Sequence, residues 1–168
     1  MKFLRGFKYA FSGVLYTINH ERNLRVHIIV SIYLLYFLSY YNVSTAKMAV
    51  LLITMALVIG LEFVNTAIER VCDLYSKEYN PLIKIAKDAA AGAVLVAAVF
   101  AVAIAVFLLW DVDTIWKIIE FHCGTPERFA LLALTVILSL IFIILGPKKM
   151  FENAKSLFVK ESVSSDDE

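Results

Sequence analysis

Two carboxylates and a carboxamide stand in Glu62-Phe63-Val64-Asn65-Thr66-Ala67-Ile68-Glu69, directly after the apolar run MAVLLITMALVIG at 48–60. A carboxylate at bilayer depth is costly, so an ionisable group there is read first as a functional residue. The spacing sharpens that reading. At about 100° per residue, positions 62, 65, 69 and 73 fall within roughly 80° of one another on a helix. Glu62, Asn65, Glu69 and Asp73 therefore share one face. That face is too polar for lipid and must look into a protein interior or a wet cleft.

Two further groups bear on the same chemistry. Lys87 and Asp88 open the apolar segment that follows residues 70–86. A lysine at such a junction either snorkels as an anchor or reaches a phosphate, with Asp88 beside it to hold a hydroxyl or a metal-bound water. Position alone leaves both open. Glu21 lies in Asn19-His20-Glu21-Arg22-Asn23-Leu24-Arg25. Taken alone it reads as a solvated acid in a basic stretch.

The elements that must position these groups are membrane elements. The chain of 168 residues is 61% hydrophobic, with mean hydropathy +0.77, and soluble domains are nearer 45–50% apolar. Apolar segments at 26–43, 48–68, 89–110 and 129–145 each approach the roughly 20 residues that span a bilayer. The last is closed by Gly146-Pro147, which stops a helix. Residues 2–19 carry Lys2, Arg5 and Lys8 opposite a stripe of Phe3, Phe7, Phe11, Val14 and Leu15, and predict an amphipathic surface helix. The expected architecture is all-α: an integral membrane helix bundle with an N-terminal surface helix, three core transmembrane helices, and a fourth C-terminal one. Residues 1–110 form one unit. Residues 111–168 form an extension: an external loop at 111–128, the fourth span, and a tail at 146–168 whose end, 162–168, reads as disordered.

Orientation follows from the basic residues. Thirteen of the sixteen lysines and arginines fall on the side that receives both termini and the 70–86 connection. That side is cytoplasmic by the positive-inside rule, so Glu69, Asp73, Lys87 and Asp88 sit where nucleotide is available. Ala89, Ala93, Ala97, Ala101 and Ala105 recur every four residues and predict close helix packing in lipid. The two cysteines, Cys72 and Cys123, make neither a disulfide framework nor a metal motif. No basic stripe with interleaved aromatics supports nucleic-acid binding. His20 and His27 read as hydrogen-bonded structural residues.

Phe7-Lys8-Tyr9-Ala10-Phe11-Ser12-Gly13, Asn19-His20-Glu21-Arg22-Asn23-Leu24-Arg25-Val26-His27, the 62–69 octapeptide followed by Asp73, and Lys87-Asp88-Ala89-Ala90-Ala91-Gly92-Ala93-Val94-Leu95 occur in that order. Together this set resembles the small prokaryotic lipid kinases. These comprise the diacylglycerol kinases of Gram-negative bacteria and the undecaprenol kinases of Gram-positive bacteria. The stretch Glu-Arg-Asn-Leu-Arg-Val-His at 21–27 is closer to the undecaprenol branch. The resemblance implies a homotrimer in the bacterial plasma membrane, with active sites shared between subunits. It implies Glu62 as catalytic base, and Glu21 and Glu69 as carboxylates that bind Mg²⁺ with ATP. It places Tyr9, Glu21, Asn65, Glu69, Asp73, Glu78, Tyr79, Asn80, Lys87 and Asp88 around the nucleotide. Gly13, Thr17, Glu62 and Ala91 fall at the lipid substrate. Residues 111–168 lie beyond the minimal family pattern.

The residues permit that chemistry. From Glu69 to Glu62 is about 10 Å of helical rise, so a nucleotide at headgroup level and a lipid hydroxyl deeper down can meet. Phosphoryl transfer asks mainly for alignment and charge neutralisation. Mg²⁺ usually takes one or two protein carboxylates and keeps several waters. No Walker or protein-kinase signature is present. Two other classes remain as alternatives. A transporter would carry polar groups at mid-bilayer on several spans. A non-catalytic membrane protein would neutralise its acids with Arg70, Lys84 or Lys87 in inert pairs.

Overall fold

The computed structural model describes residues 2–75 and 79–165, with side chains for 3–75 and 79–153. Among the described residues it is wholly helical. The elements are α1 (Lys2–His20), α2 (Arg22–Leu38), α3 (Thr45–Tyr75), α4 (Pro81–Leu109), α5 (Val112–Cys123) and α6 (Pro126–Ser165). Three helices are long and apolar enough to cross a membrane: α3, α4 and the part of α6 up to Asn153. At 31 and 29 residues, α3 and α4 run about 46 and 44 Å, well beyond the roughly 30 Å hydrocarbon core. Their polar ends therefore project past the apolar segments at 48–68 and 89–109.

The helices form a row, α4 against α3, α3 against α2, α2 against α6, with α1 touching α2, α3 and α6 at one end. α2 and α3 are antiparallel, since Glu21 opposes Arg70 and His27 opposes Glu62. Few apolar side chains are fully shielded: Leu24, Leu38, Leu51, Val58 and Val94. That suits a solvent of lipid tails, in which exposed Leu and Val incur no penalty and small contacts hold helices together.

Several boundaries differ from the sequence expectation. The first apolar segment, expected as a span over 26–43, is helical only to Leu38. Its 17 residues make about 25 Å, short of the hydrocarbon thickness, and Tyr40 and Tyr41 lie in the turn beyond. The charged connection at 70–86 is mostly helix. α4 begins at Pro81, where a missing N–H costs nothing, and Asn80 caps it by accepting from the Leu82 N–H at 2.9 Å. The expected external loop contains α5, a short amphipathic helix. Its His122 is buried, with Nε2 at 2.9 Å from the Tyr36 hydroxyl and Nδ1 at 2.8 Å from the Ile118 carbonyl. The tail expected to be disordered is helical through Ser165. Of the alanine stripe, Ala97, Ala101 and Ala105 are half-buried, while Ala89 and Ala93 are exposed.

Gly146-Pro147 breaks the chain as expected, with Gly146 at φ 74° and ψ 163°, a left-handed φ that glycine tolerates. The helix then resumes, so α6 is two helical pieces joined at a kink.

Candidate active site

The polar face of α3 turns inward where its apolar segment ends. Glu62 is 2% exposed and Asn65 8% exposed. Glu69 is half-buried and Asp73 exposed. The four share one helical face, as their spacing predicts, and burial falls along it from Glu62 to Asp73. Thr66 supports it by donating to the Glu62 carbonyl at 2.9 Å.

Partners differ along the gradient. Glu62 Oε1 lies 3.3 Å from His27 Nε2 on α2. The contact is an ion pair when the imidazole carries both its protons. Glu69 Oε1 accepts from Asn65 Nδ2 at 3.0 Å, and among the described residues it has no Lys or Arg partner. Asp73 pairs with Lys87 across the α3–α4 connection. Asp88 pairs with Lys84 one turn back at 2.9 Å. Both of these pairs lie past the apolar segments, in water. There the Lys87 ammonium beside Asp73 holds the Asp73 carboxyl below its ordinary range, and Asp73 raises Lys87 in turn. The Asp88 carboxylate raises Lys84.

Glu21 is the single residue between α1 and α2, extended at φ −104° and ψ 112°. Its carboxylate meets Arg70 Nη2 at 3.0 Å, and the Arg70 guanidinium also lies over the Tyr16 ring at 5.5 Å. Arg70 neighbours Glu69 in sequence, so this pair brings the α1–α2 break to the open end of α3. Thr17 is buried and donates to the Gly13 carbonyl at 2.9 Å. Gly13 and Thr17 line a groove between α1 and α3 together with Phe63, Thr66 and Arg70.

The remaining expected residues are not drawn in. Tyr9 and Tyr79 are exposed, as is Ala91, and no hydrogen bond ties them to the buried group. Asn80 uses its side chain as the α4 cap. Glu78 lies outside the described residues.

A divalent cation fits this donor set in one way. Among the described residues no three His, Cys, Asp or Glu side chains converge, so a cage made of protein alone is absent. Mg²⁺ is ordinarily held by one or two carboxylates plus substrate phosphates. Glu69 has no ion-pair partner among the described residues, Glu21 is tied to the same end of α3, and Asn65 Oδ1 is buried with no hydrogen-bond donor. An unsatisfied buried oxygen beside a carboxylate is suited to a metal-bound water.

Three side chains matter more than their sequence context indicated. His27 sits at the start of an apolar segment, and only the pairing of α2 with α3 puts it on Glu62. Arg70 reads as one of several cytoplasmic charges until the helix break at 21 brings Glu21 to it. Arg25 also reads as a surface charge, yet it is 5% exposed. The available signal was the type of each residue. A histidine beside an apolar run and an arginine seven residues after Ile18 are both groups that need partners.

Comparison with known proteins places these features in a family. The model of the prokaryotic diacylglycerol kinases matches residues 8–109. The chain is 43% identical over 107 residues to a diacylglycerol kinase of Synechocystis, a match that covers 63% of this chain and 61% of that protein. It is 36% identical over 98 residues to an undecaprenol kinase of Bacillus subtilis, covering 58% of this chain and 80% of the other. A diacylglycerol kinase of Helicobacter pylori is 27% identical over 103 residues, covering 57% and 80%. The first match thus spans about three fifths of its relative, while the family model takes in the whole face from Glu21 to Asp88. The chain belongs to the prokaryotic diacylglycerol kinase family.

Proposed function

We propose that this protein is a membrane lipid kinase that transfers the γ-phosphoryl group of ATP to the hydroxyl of a lipid alcohol. The observation that supports it best is the pair of acids on one face of α3 that have no Lys or Arg partner among the described residues. Glu69 is at the open end and Glu62 is buried about 10 Å deeper. The outer acids, which have lysine partners, frame the opening.

In this reading Glu62 accepts the proton of the lipid hydroxyl, and His27 holds its carboxylate in place. A general base so placed contributes typically 10²–10⁴-fold. Glu21 and Glu69 would hold Mg²⁺, which supplies neutralisation of phosphate charge when bound. Lys87 and Arg70 add positive charge at the same end. Each is held by a carboxylate now and is near enough to the opening to exchange it for phosphate. Tyr9, Asn65, Asp73, Glu78, Tyr79, Asn80 and Asp88 surround the nucleotide, and Gly13, Thr17 and Ala91 face the lipid. The protein works as a homotrimer in the bacterial plasma membrane, with both termini cytoplasmic and with sites shared between subunits.

The acceptor we favour is undecaprenol, on the stretch at 21–27. The relatives support diacylglycerol equally, since the names of both enzymes occur among them. The deciding experiment is radiolabelled ATP transfer by the purified protein with undecaprenol, diacylglycerol, ceramide or no lipid. Label in organic extract with undecaprenol above the other acceptors is expected. Preference for diacylglycerol would move the assignment to that alcohol, and no lipid-dependent label with any acceptor would overturn the kinase reading.

A further inference from the structure

α1 and α6 each break, and the two breaks satisfy one another. α1 ends at His20, which leaves its last carbonyls without helical partners. Thr17 is served by the Glu21 N–H at 2.8 Å. Ile18 and Asn19 are served by Arg25, whose Nη1 donates to their carbonyls at 2.8 and 3.2 Å. In α6 the Ile143 carbonyl would take the N–H four residues on, but that residue is Pro147, which has none. Arg25 Nε donates to Ile143 instead, at 3.0 Å. The helix restarts after Gly146 with its first N–H groups unpaired, and the Asn19 carboxamide oxygen accepts from the Lys148 N–H at 3.1 Å.

One buried guanidinium therefore closes two helix C-termini. The partial negative charge at such ends favours a cation there. The fit is tight at the kink. A methyl group on Gly146 would lie 3.1 Å from Arg25 Nη1 and 3.5 Å from the Asn19 carbonyl oxygen, at a φ that side chains rarely adopt. Tyr33 and Ser139 continue the α2–α6 contact further along, with their hydroxyls 3.2 Å apart.

Between Asn19 and Arg25, both held by α6, lies Glu21. α6 falls outside the stretch matched by the family model, which ends at residue 109. We infer that the C-terminal helix is a positioning element for the nucleotide site: through Ile143, Gly146 and Lys148 it fixes the α1–α2 break and so the place of the Glu21 carboxylate. The inference rests on the kinase reading for Glu21's task, while the joint itself rests on the hydrogen bonds of Arg25 and Asn19.

The test uses two variants of the full chain that strike the joint from opposite sides. Gly146→Ala forces a side chain against Arg25. Asn19→Leu removes the cap on Lys148 and leaves the glycine unstrained, so it serves if the first variant does not fold. Binding of Mn²⁺ in the presence of a non-hydrolysable ATP analogue is read from the free-ion paramagnetic resonance signal, alongside KM and kcat for Mg·ATP and for the lipid. Partners that orient a metal ligand are worth about 10–100-fold in metal affinity. Weakening of Mn²⁺ binding by about tenfold or more is expected, with a matching rise in KM for Mg·ATP and an unchanged KM for lipid. A lower thermal midpoint with unchanged Mn²⁺ affinity would make α6 a stabiliser alone and overturn the inference. So would variants indistinguishable from wild type. Wild type is scored first. Absence of nucleotide-dependent Mn²⁺ binding there would sink the kinase reading together with this one, whereas wild-type binding with unaltered variants would sink this one only.

Discussion

Replacing Glu62 with Gln separates the chemistry of the buried acid from its structural part. The carboxamide has nearly the same shape and keeps an oxygen facing His27 Nε2 across the 3.3 Å contact. The loss in stability is then the difference between an ionic and a neutral polar contact, about 1 kcal/mol. The proposed base, by contrast, is gone. A missing general base lowers the rate by about 10²–10⁴-fold, which is about 2.7–5.5 kcal/mol of barrier. Affinity for Mg·ATP should hold, because Glu69 stands about 10 Å along the helix. His27→Ala inverts the pattern. It leaves a carboxylate that is 3% exposed without its imidazole partner, at a cost of about 1.5–3 kcal/mol, while the proposed base itself remains. The assay pairs steady-state phosphorylation and Mg·ATP titration with denaturant unfolding in the same detergent or bicelle. The reasoning is refuted if Glu62→Gln keeps more than a tenth of wild-type turnover, or if Mg·ATP affinity falls in step with the rate. It is also refuted if His27→Ala leaves stability unchanged.

Three further expectations follow from the same geometry. Glu69→Gln should weaken Mg·ATP binding by about tenfold or more, since a direct ligand is worth at least what its outer partners are; calorimetric titration checks it. The Asp73–Lys87 pair sets a pH window. Asp73, lowered from 3.8, contributes stability that is present above that value and lost as pH falls through its folded pKa. Lys87, raised from 10.5, contributes stability that is present below that value and lost as pH rises through its folded pKa. The difference in Tm between wild type and Lys87→Met should therefore stay level from about pH 5 to 9 and shrink outside it. Finally, His122→Ala removes the hydrogen bond that ties α5 to Tyr36 on α2 and the one to the Ile118 carbonyl within α5. It should cost about 1–3 kcal/mol with KM for both substrates unmoved, as read by unfolding and by kinetics.

What the sequence made legible was whatever period and residue type decide locally. The shared face of Glu62, Asn65, Glu69 and Asp73 follows from 100° per residue, and the structure keeps it. The amphipathic α1, the break at Gly146-Pro147 and the long apolar cores of α3, α4 and α6 follow from the local order of residue types. What stayed hidden needed a second helix. His27 gains its meaning from the antiparallel pairing of α2 with α3, and Arg25 from the closeness of two helix ends that lie far apart in sequence. The length of α2 was misjudged because hydropathy does not register where Tyr40 and Tyr41 leave the helix. α5 was missed because a short amphipathic helix is shorter than any window tuned to spans.

The choice between a catalytic and an inert site turns on which acids have basic partners. An inert arrangement would neutralise the buried acids first, because an unpaired charge costs most where the surroundings are least polar. Here the order is reversed. The exposed Asp73 and Asp88 have lysines, where pairing is worth least. Among the described residues, the half-buried Glu69 is paired with a carboxamide and the buried Glu62 with an imidazole, and neither with a lysine or arginine. A transport pathway is no better match, since the interior of α4 carries no acid or base beyond Asp88 and that of α6 none from Phe129 to Gly146. A deep acid left with its accepting capacity available, below an outer acid with room for a cation, is a costly arrangement to keep for packing. Its local cost is explained if a proton and a phosphoryl group pass between the two levels.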